Sequence, residues 1–402
     1  MENNRRMRKL IFLFALTYFA SYVTRLNFGA VISAILQSTG LSKPMLSMAV
    51  TGSFVSYGIG QLVSGMCGDR FSPKKLVALG LAVSSAMNML IPLCADAYQM
   101  TAVWCVNGFA QSFIWPPLVK IMSSVLSEEV YQTGIVRVQW GCSLGTIAIY
   151  LVSPVLISVF SWRAVFLVSA LCGLSVVFLW NKEAPDSARA RTSASQRRGG
   201  QAWRGLLEPY MFFIMFAIVM MGMLRDGVTT WMPSYISETY SLSSAVSILS
   251  GGILPVFSIL SCQIGSKVYR KLKSVLLCAV LFFGLGALAA AAMVLSAGRQ
   301  AAVSVVCAAV LTGSMHGVNL MLISMIPPYF KKYGNVSMAS GVLNSCTYVG
   351  SAVSTYGIAV MSEGWGWNRT LLLWILMAVL GMVSCAVTMR PWKENMESDT
   401  VV

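Results

Sequence analysis

The chain has 402 residues, 56% hydrophobic and 11% charged, with a mean hydropathy of +0.71 and a formal net charge of +15. Soluble domains carry roughly 25% charged residues, so this composition excludes an ordinary soluble enzyme and points to a polytopic membrane protein, in which the basic excess belongs to loops rather than to a nucleic-acid surface. The single histidine excludes a multi-histidine metal site, and the ten cysteines lack metal or disulfide spacing and read as small buried hydrophobes.

Residues 1–9 are basic and lead into an apolar run. The run is too long for the core of a signal peptide and no small-residue cleavage site closes it, so it is read as an uncleaved first helix. A spanning helix needs about 20 predominantly apolar residues. Twelve such segments follow in order: 10–36, 45–68, 75–94, 98–126, 131–160, 163–181, 208–236, 245–267, 274–296, 301–329, 334–361 and 368–389. The stretch 182–207 is the one long polar gap, with Lys182, Arg189, Arg191, Arg197, Arg198 and Arg204 among small residues. Its low hydrophobicity and high charge predict a linker. The expected organisation is therefore all-α with twelve transmembrane helices: an N-terminal six-helix bundle over 1–181, a cytoplasmic linker over 182–207, a C-terminal six-helix bundle over 208–390 and a cytoplasmic tail over 391–402.

If the segments alternate in direction, one side of the membrane carries 21 Lys and Arg residues and the other carries four: Lys43, Arg163, Arg299 and Arg369. That bias places both termini in the cytoplasm. The two halves also echo one another. Gly68-Asp69-Arg70 with Pro73-Lys74-Lys75 follows the second segment, and Gly265-Ser266-Lys267 with Arg270-Lys271 follows the eighth. Trp115-Pro116-Pro117 with Lys120 is matched by Pro327-Pro328 with Lys331, Trp162-Arg163 by Trp367-Asn368-Arg369, and Arg25 by Arg225, 200 residues later. Matches in the same order argue for two parallel repeats, a layout of secondary carriers.

Arg25 and Arg225 fall 15 residues past Leu10 and 16 past Pro209; at roughly 1.5 Å per residue both lie near mid-membrane. A charge there costs roughly 2.5–3.5 kcal/mol on insertion scales and normally faces a cavity or a partner. A guanidinium stays protonated and offers a planar fork of donors to a phosphate, which lysine does not. The neighbouring Asp226 projects about 100° round the helix and is expected not to pair with Arg225. Asp226 is the one clear intramembrane acid; with His316, which titrates near neutral pH, it is a candidate for proton coupling. Arg137 is expected in an ion-pair network with Glu128 or Glu129.

Gly68-Asp69-Arg70 with Pro73-Lys74-Lys75 resembles the loop motif of the major facilitator superfamily, in which one acid in a basic loop pins helix ends; Asp69, Arg70 and Lys74 are the expected gating residues. Within that superfamily, three stretches are similar to the organophosphate:phosphate antiporters: Tyr22-Val-Thr-Arg25-Leu-Asn27-Phe28, Gly108-Phe-Ala-Gln111 through Trp115-Pro116-Pro117, and Leu224-Arg225-Asp226-Gly227 through Trp231 and Tyr235. The resemblance implies that Arg25 and Arg225 bind the substrate phosphate, with no covalent chemistry and no cofactor. The lysine that glycerol-phosphate carriers place after a Tyr-Gly pair in helix two is Gln61 here, and their fifth-helix histidine is missing from Val138–Gly145. Tyr22, Gln61, Trp115, Tyr235, His316 and Asn344 are the further substrate-binding candidates.

These residues give an expected function: a carrier of a phosphorylated organic anion in exchange for inorganic phosphate, working by alternating access as a monomer in the cell (inner) membrane, with no nucleic-acid partner. Two other readings stay open at the level of sequence. One is a sugar-phosphate sensor of the same fold; the other is a proton-coupled symporter of another organic anion, such as a carboxylate.

Overall fold

A computed structural model describes residues 2–41, 43–185, 205–241 and 253–397. Most of the expected linker (186–204), the start of the eighth expected segment (245–252) and the end of the tail (398–402) lie outside the described residues.

The described helices are α1 (Glu2–Thr39), α2 (Lys43–Arg70), α3 (Pro73–Leu90), α4 (Ala97–Gln111), α5 (Trp115–Val125), α6 (Glu128–Val159), α7 (Trp162–Glu183), α8 (Pro209–Tyr240), α9 (Leu254–Leu272), α10 (Val275–Ser296), α11 (Ala301–Asn319) and α12 (Val336–Trp392). A helix satisfies all its backbone polar groups internally, which a lipid-embedded segment must do. Among the described residues eight helices are long and apolar enough to cross a membrane. The other expected spans fall short for local reasons. α2 is rich in Ser and Gly, α9 carries Lys267, Arg270 and Lys271, and the first part of α12 is dense in Ser, Thr and Gly.

The fourth expected segment is two helices. α4 ends at Gln111, a turn of 112–114 follows, and α5 starts with prolines in its first turn. Pro116 and Pro117 lack the N–H that a helix interior needs but fit a first turn, so the chain breaks where they stand. The tenth segment behaves alike: α11 widens into a π turn over Leu320–Met325 and tightens into a 3₁₀ turn from Pro327. α12 merges the eleventh and twelfth expected segments across Gly366, whose φ of 78° is open to glycine at little cost.

The chain forms two compact units, Met1–Gly199 with Phe330–Ser345, and Gly200–Tyr329 with Cys346–Val402. The sequence reading assigns 330–345 to the C-terminal bundle. In the structure this stretch is bonded to α2 and α5: Asn344 Nδ2 donates to Gln61 Oε1 (3.1 Å), Ser345 Oγ to Gly58 O (3.1 Å), and Lys331 Nζ to Ser123 O (3.0 Å).

In the first unit α1 packs along α6 and α7, α2 along α4, and α3 against α7, α4 and α5. One end of its core is aromatic: Phe28, Trp104, Trp162 and Phe166 stack with centroids 5.1–5.9 Å apart. The centre is a buried polar network. Gln111 accepts from Ser21 Oγ (2.6 Å) and donates to Thr24 Oγ1 (2.8 Å) and Ser84 Oγ (2.6 Å). Asn27 donates to Asn88 (2.6 Å), and Asn88 and Asn107 both donate to the Thr24 carbonyl (2.8 and 3.2 Å). Each polar atom named is buried and partnered, the condition under which such a network fixes one packing.

In the second unit α11 is the hub, packing against α8, α9 and α10. The two units repeat one close approach. A Cβ on Gly141 of α6 would lie 2.2 Å from the Ala15 carbonyl oxygen of α1, and one on Gly350 of α12 would lie 2.2 Å from the Val219 carbonyl oxygen of α8.

Because the obstacle at Gly141 is backbone, Gly141→Val is expected to destabilise the fold by more than the ~1–3 kcal/mol of an overpacked side chain. Gly29, where an added Cβ meets nothing within 4 Å, serves as the control. Thermal unfolding of the purified protein in detergent should show a lowered midpoint for Gly141→Val and an unchanged one for Gly29→Ala.

Candidate functional site

Two stripes on α1 serve different ends. Ser21, Thr24 and Asn27 feed the buried network with α3 and α4, and the Thr24 hydroxyl also bonds back to the Ala20 carbonyl (2.8 Å). Tyr18, Tyr22 and Arg25, spaced by four and three residues, share the adjacent face. The Arg25 guanidinium carbon lies 4.3 Å from the Tyr22 ring centroid and 4.8 Å from that of Tyr57 on α2. Tyr22 packs edge-on against Tyr18 (5.1 Å), and Tyr18 against Trp115 at the start of α5 (4.9 Å). Tyr18, Tyr57 and Trp115 are buried. A cation over desolvated aromatic faces gains ~2 kcal/mol or more, so the rings stabilise the guanidinium without removing its charge. Among the described residues the buried Trp115 Nε1 has no hydrogen-bond partner, and it stands as a donor beside this cradle.

Of the candidates on this unit, Tyr22 and Trp115 gather with Arg25. Gln61 and Asn344 are brought together too: both are buried, they bond to each other, and Gln61 Nε2 donates to the Ser112 carbonyl (3.4 Å). The break between α4 and α5 is what frees that carbonyl. Tyr57, missed in the sequence reading, completes the cradle; the signal was its aromatic ring in the Tyr57-Gly58 pair.

On the second unit Arg225 makes a two-pronged bond to its own neighbour. Nε donates to Asp226 Oδ1 (2.7 Å) and Nη2 to Asp226 Oδ2 (2.9 Å), while Nη1 donates to Asn319 Oδ1 of α11 (3.1 Å). The Ser351 hydroxyl of α12 donates to Asp226 Oδ2. This corrects the expectation from helix geometry that Asp226 is no partner for Arg225. The 100° between their Cα–Cβ directions is spanned by the long, flexible arginine stem, which curls back to its neighbour. The side chains are 15% and 33% exposed for Arg225 and Asp226, so the carboxylate is the more open member. His316 sits within electrostatic range of both. Its Nδ1 is 2.9 Å from the Thr312 carbonyl; a carbonyl only accepts, so Nδ1 carries the hydrogen.

Tyr235 lies ten residues further along α8, in a separate cluster. Its hydroxyl meets Ser304 (3.2 Å), where Tyr240 also bonds (2.6 Å), and its ring packs against Trp367 (5.4 Å). Ser304 is near the start of α11, whereas His316 and Asn319 are at its other end, which separates Tyr235 from Arg225.

The expected gating residues divide. Asp69 accepts from the Ser337 and Met338 amides at the start of α12 (3.2 and 2.7 Å) and pairs with Lys120 Nζ (3.2 Å). Lys120 also donates to the Gly68 carbonyl (2.8 Å). Asp69 therefore sits where a helix presents unsatisfied N–H groups and its positive dipole end. Burial pushes its carboxyl above the usual range, while Lys120 and the two amides pull against that. Lys74 donates to the Ala184 carbonyl (2.7 Å) and takes Trp180 Nε1 on its own carbonyl (3.0 Å), tying α3 to α7. Arg70 is exposed. Arg137 is exposed too and, among the described residues, forms no ion pair with Glu128 or Glu129; lying eight and nine residues along the same helix, it is beyond the reach of an i,i+4 pair.

Comparison with known proteins gives this geometry a context. A family model described as Major Facilitator Superfamily matches residues 14–354. The chain is 24% identical over 254 residues to the membrane sensor protein UhpC of Escherichia coli (strain K12), covering 58% of this chain and 57% of that protein. It is 24% identical over 266 residues to the glycerol-3-phosphate transporter of Bacillus subtilis (strain 168), with 60% of each covered, and 24% identical over 270 residues to a probable hexose phosphate transport protein of Chlamydia trachomatis serovar D, with 60% and 59% covered. The matched stretch thus spans under two thirds of the length of these relatives. Among solved structures, the transporter FucP in its outward conformation superposes with a TM-score of 0.77 at 10% identity, covering 94% of this chain and 98% of that one. The proton:xylose symporter XylE follows with 0.75 at 13%, covering 95% of each.

Removing the Asp69 charge tests the clasp. Asp69→Asn should lower stability by ~1.5–3 kcal/mol, the range for hydrogen bonds to a charged group. The double variant Asp69→Asn with Lys120→Met should lose less than the sum of the single losses. Chemical denaturation of the four proteins measures this; simple additivity would mean that Lys120 and Asp69 do not act as a pair.

Proposed function

The chain belongs to the Major Facilitator Superfamily and is not an enzyme, and from that premise we propose that it is a secondary carrier of a phosphorylated organic anion, moved by alternating access in exchange for inorganic phosphate. The observation that carries the reading is Arg25: a guanidinium in the first span, framed by Tyr22, Tyr57, Tyr18 and Trp115. Relatives named for glycerol-3-phosphate and hexose phosphate transport support it. A phosphate monoester carries about −1.5 to −2 charge near neutral pH, and arginine binds it through parallel N–H donors. Arg25 and Arg225 are the proposed phosphate-binding residues. Tyr22 and Trp115 support the first, Asn319 and His316 the second. Asp69, Lys120 and Lys74 are proposed to act on the rocking equilibrium. The proposed setting is the cell membrane, with both termini cytoplasmic on the strength of the Lys and Arg bias, and the proposed working state is a monomer.

A second reading is favoured by one finding: the matched relatives include the membrane sensor protein UhpC. A receptor of this fold would bind a phosphorylated ligand and signal without net transport. Binding alone does not separate the two readings; flux does.

Purified protein in proteoliposomes loaded with inorganic phosphate should take up labelled organic phosphate, while empty vesicles take it up slowly. Arg25→Lys keeps the charge and loses the fork; one lost charge-assisted hydrogen bond, ~1.5–3 kcal/mol, should weaken uptake by roughly ten- to a hundredfold. Saturable binding with no exchange would favour the sensor. Fast uptake by empty vesicles under an inward proton gradient, abolished in Asp226→Asn or His316→Gln, would favour proton coupling.

A further inference from the structure

The Arg225 site holds an anion of its own. The Nε and Nη2 edge of the guanidinium, the edge that would grip an incoming phosphate, is already taken by both carboxylate oxygens of Asp226. Asp226 is in turn held by Ser351, and the remaining Nη1 edge points to Asn319. A bare phosphate that takes this edge of Arg225 must displace the carboxylate. It would then leave two anions side by side in a partly enclosed membrane site, with Asp226 stripped of its partner. A substrate that brings its own cation removes that penalty. An ammonium offers three donors and a positive charge to the released carboxylate, while the phosphate takes the guanidinium. The one pair then opens into two.

We propose that Asp226 is a specificity-determining residue and that the side-by-side Arg225–Asp226 pair, with Ser351 and Asn319, selects a zwitterionic substrate of the phosphorylated-amine class. This rests on the phosphate-carrier reading and narrows it. The carboxylate is the more exposed member of the pair, so it is the side open to the substrate's ammonium. The neutral alcohol in the same position donates a single hydrogen bond and no charge, and is the poorer match.

The test uses the purified chain and two probes of nearly equal shape, 2-aminoethyl phosphate and 2-hydroxyethyl phosphate, titrated calorimetrically with inorganic phosphate as a third ligand. The amine is expected to bind about tenfold or more tightly than the alcohol. In Asp226→Asn, which keeps the side-chain shape, the preference should collapse to near unity, with the alcohol and inorganic phosphate binding as well as before or better. A wild-type ratio near one, with both compounds bound, overturns this inference and leaves the phosphate reading standing. A ratio retained in Asp226→Asn also overturns it. Binding of neither probe nor of inorganic phosphate overturns both. Should the variant not fold, 2-acetamidoethyl phosphate decides on the wild-type chain: it keeps the nitrogen and loses the charge, so it should bind no better than the alcohol, and binding as tight as the amine's overturns the assignment.

Discussion

The constraint that organises this chain is the need to stabilise a guanidinium within an apolar span. A charge in the middle of a span is costly, and the two units meet that cost with different chemistry. In the first, aromatic faces from α1 and α2 lie against the cation and leave its charge in place. In the second, a carboxylate on the next residue takes it up. The surroundings of each follow from its solution. An aromatic cradle requires a rigid α1, and the Gln111, Asn27, Asn88 and Asn107 network locks the rotation of that helix from behind. The salt bridge lies within α8, and Ser351 and Asn319 steady it from α12 and α11.

Much of the architecture was legible in the sequence because bilayers reward simple signals. Hydrophobic length located the eight spans that the described residues bear out, while the breaks at the Pro-Pro pairs of the fourth and tenth segments were not read from it. What sequence periodicity hides is where a long side chain ends up. Helix geometry fixes the Cα–Cβ direction of Arg225 but not the path of its three methylenes, and so the Asp226 pairing escaped a reading based on angles. For the same reason Asn27 and Gln111, prominent in the matching motifs, proved to be buried members of the α1–α3–α4 network. Pattern alone does not distinguish a polar residue that faces a ligand from one that holds the helix presenting it.

Asp69 shows how a short loop motif acts at long range in sequence. It accepts amides 268 and 269 positions away, at the end of a helix where N–H groups lack intrahelical partners. Lys120 adds a countercharge, and together they make a contact that holds or releases as one unit. A neutral side chain at 69 would keep part of the hydrogen bonding and lose the attraction to the helix end, which is why the acid stands out in an otherwise basic loop.

The membership of Phe330–Ser345 in the first compact unit has a consequence for biogenesis. A ribosome that has delivered residue 199 still has about 130 residues to translate before this stretch begins to emerge, roughly ten seconds or so at common elongation rates. During that interval the N-terminal unit lacks its last piece: Gln61 awaits Asn344, and Asp69 awaits the amides of Ser337 and Met338. The nascent half must therefore wait in the membrane with these α2 contacts unmade. Its completion is tied to about two thirds of the second half having been translated, so the first unit matures during, not before, the making of the second.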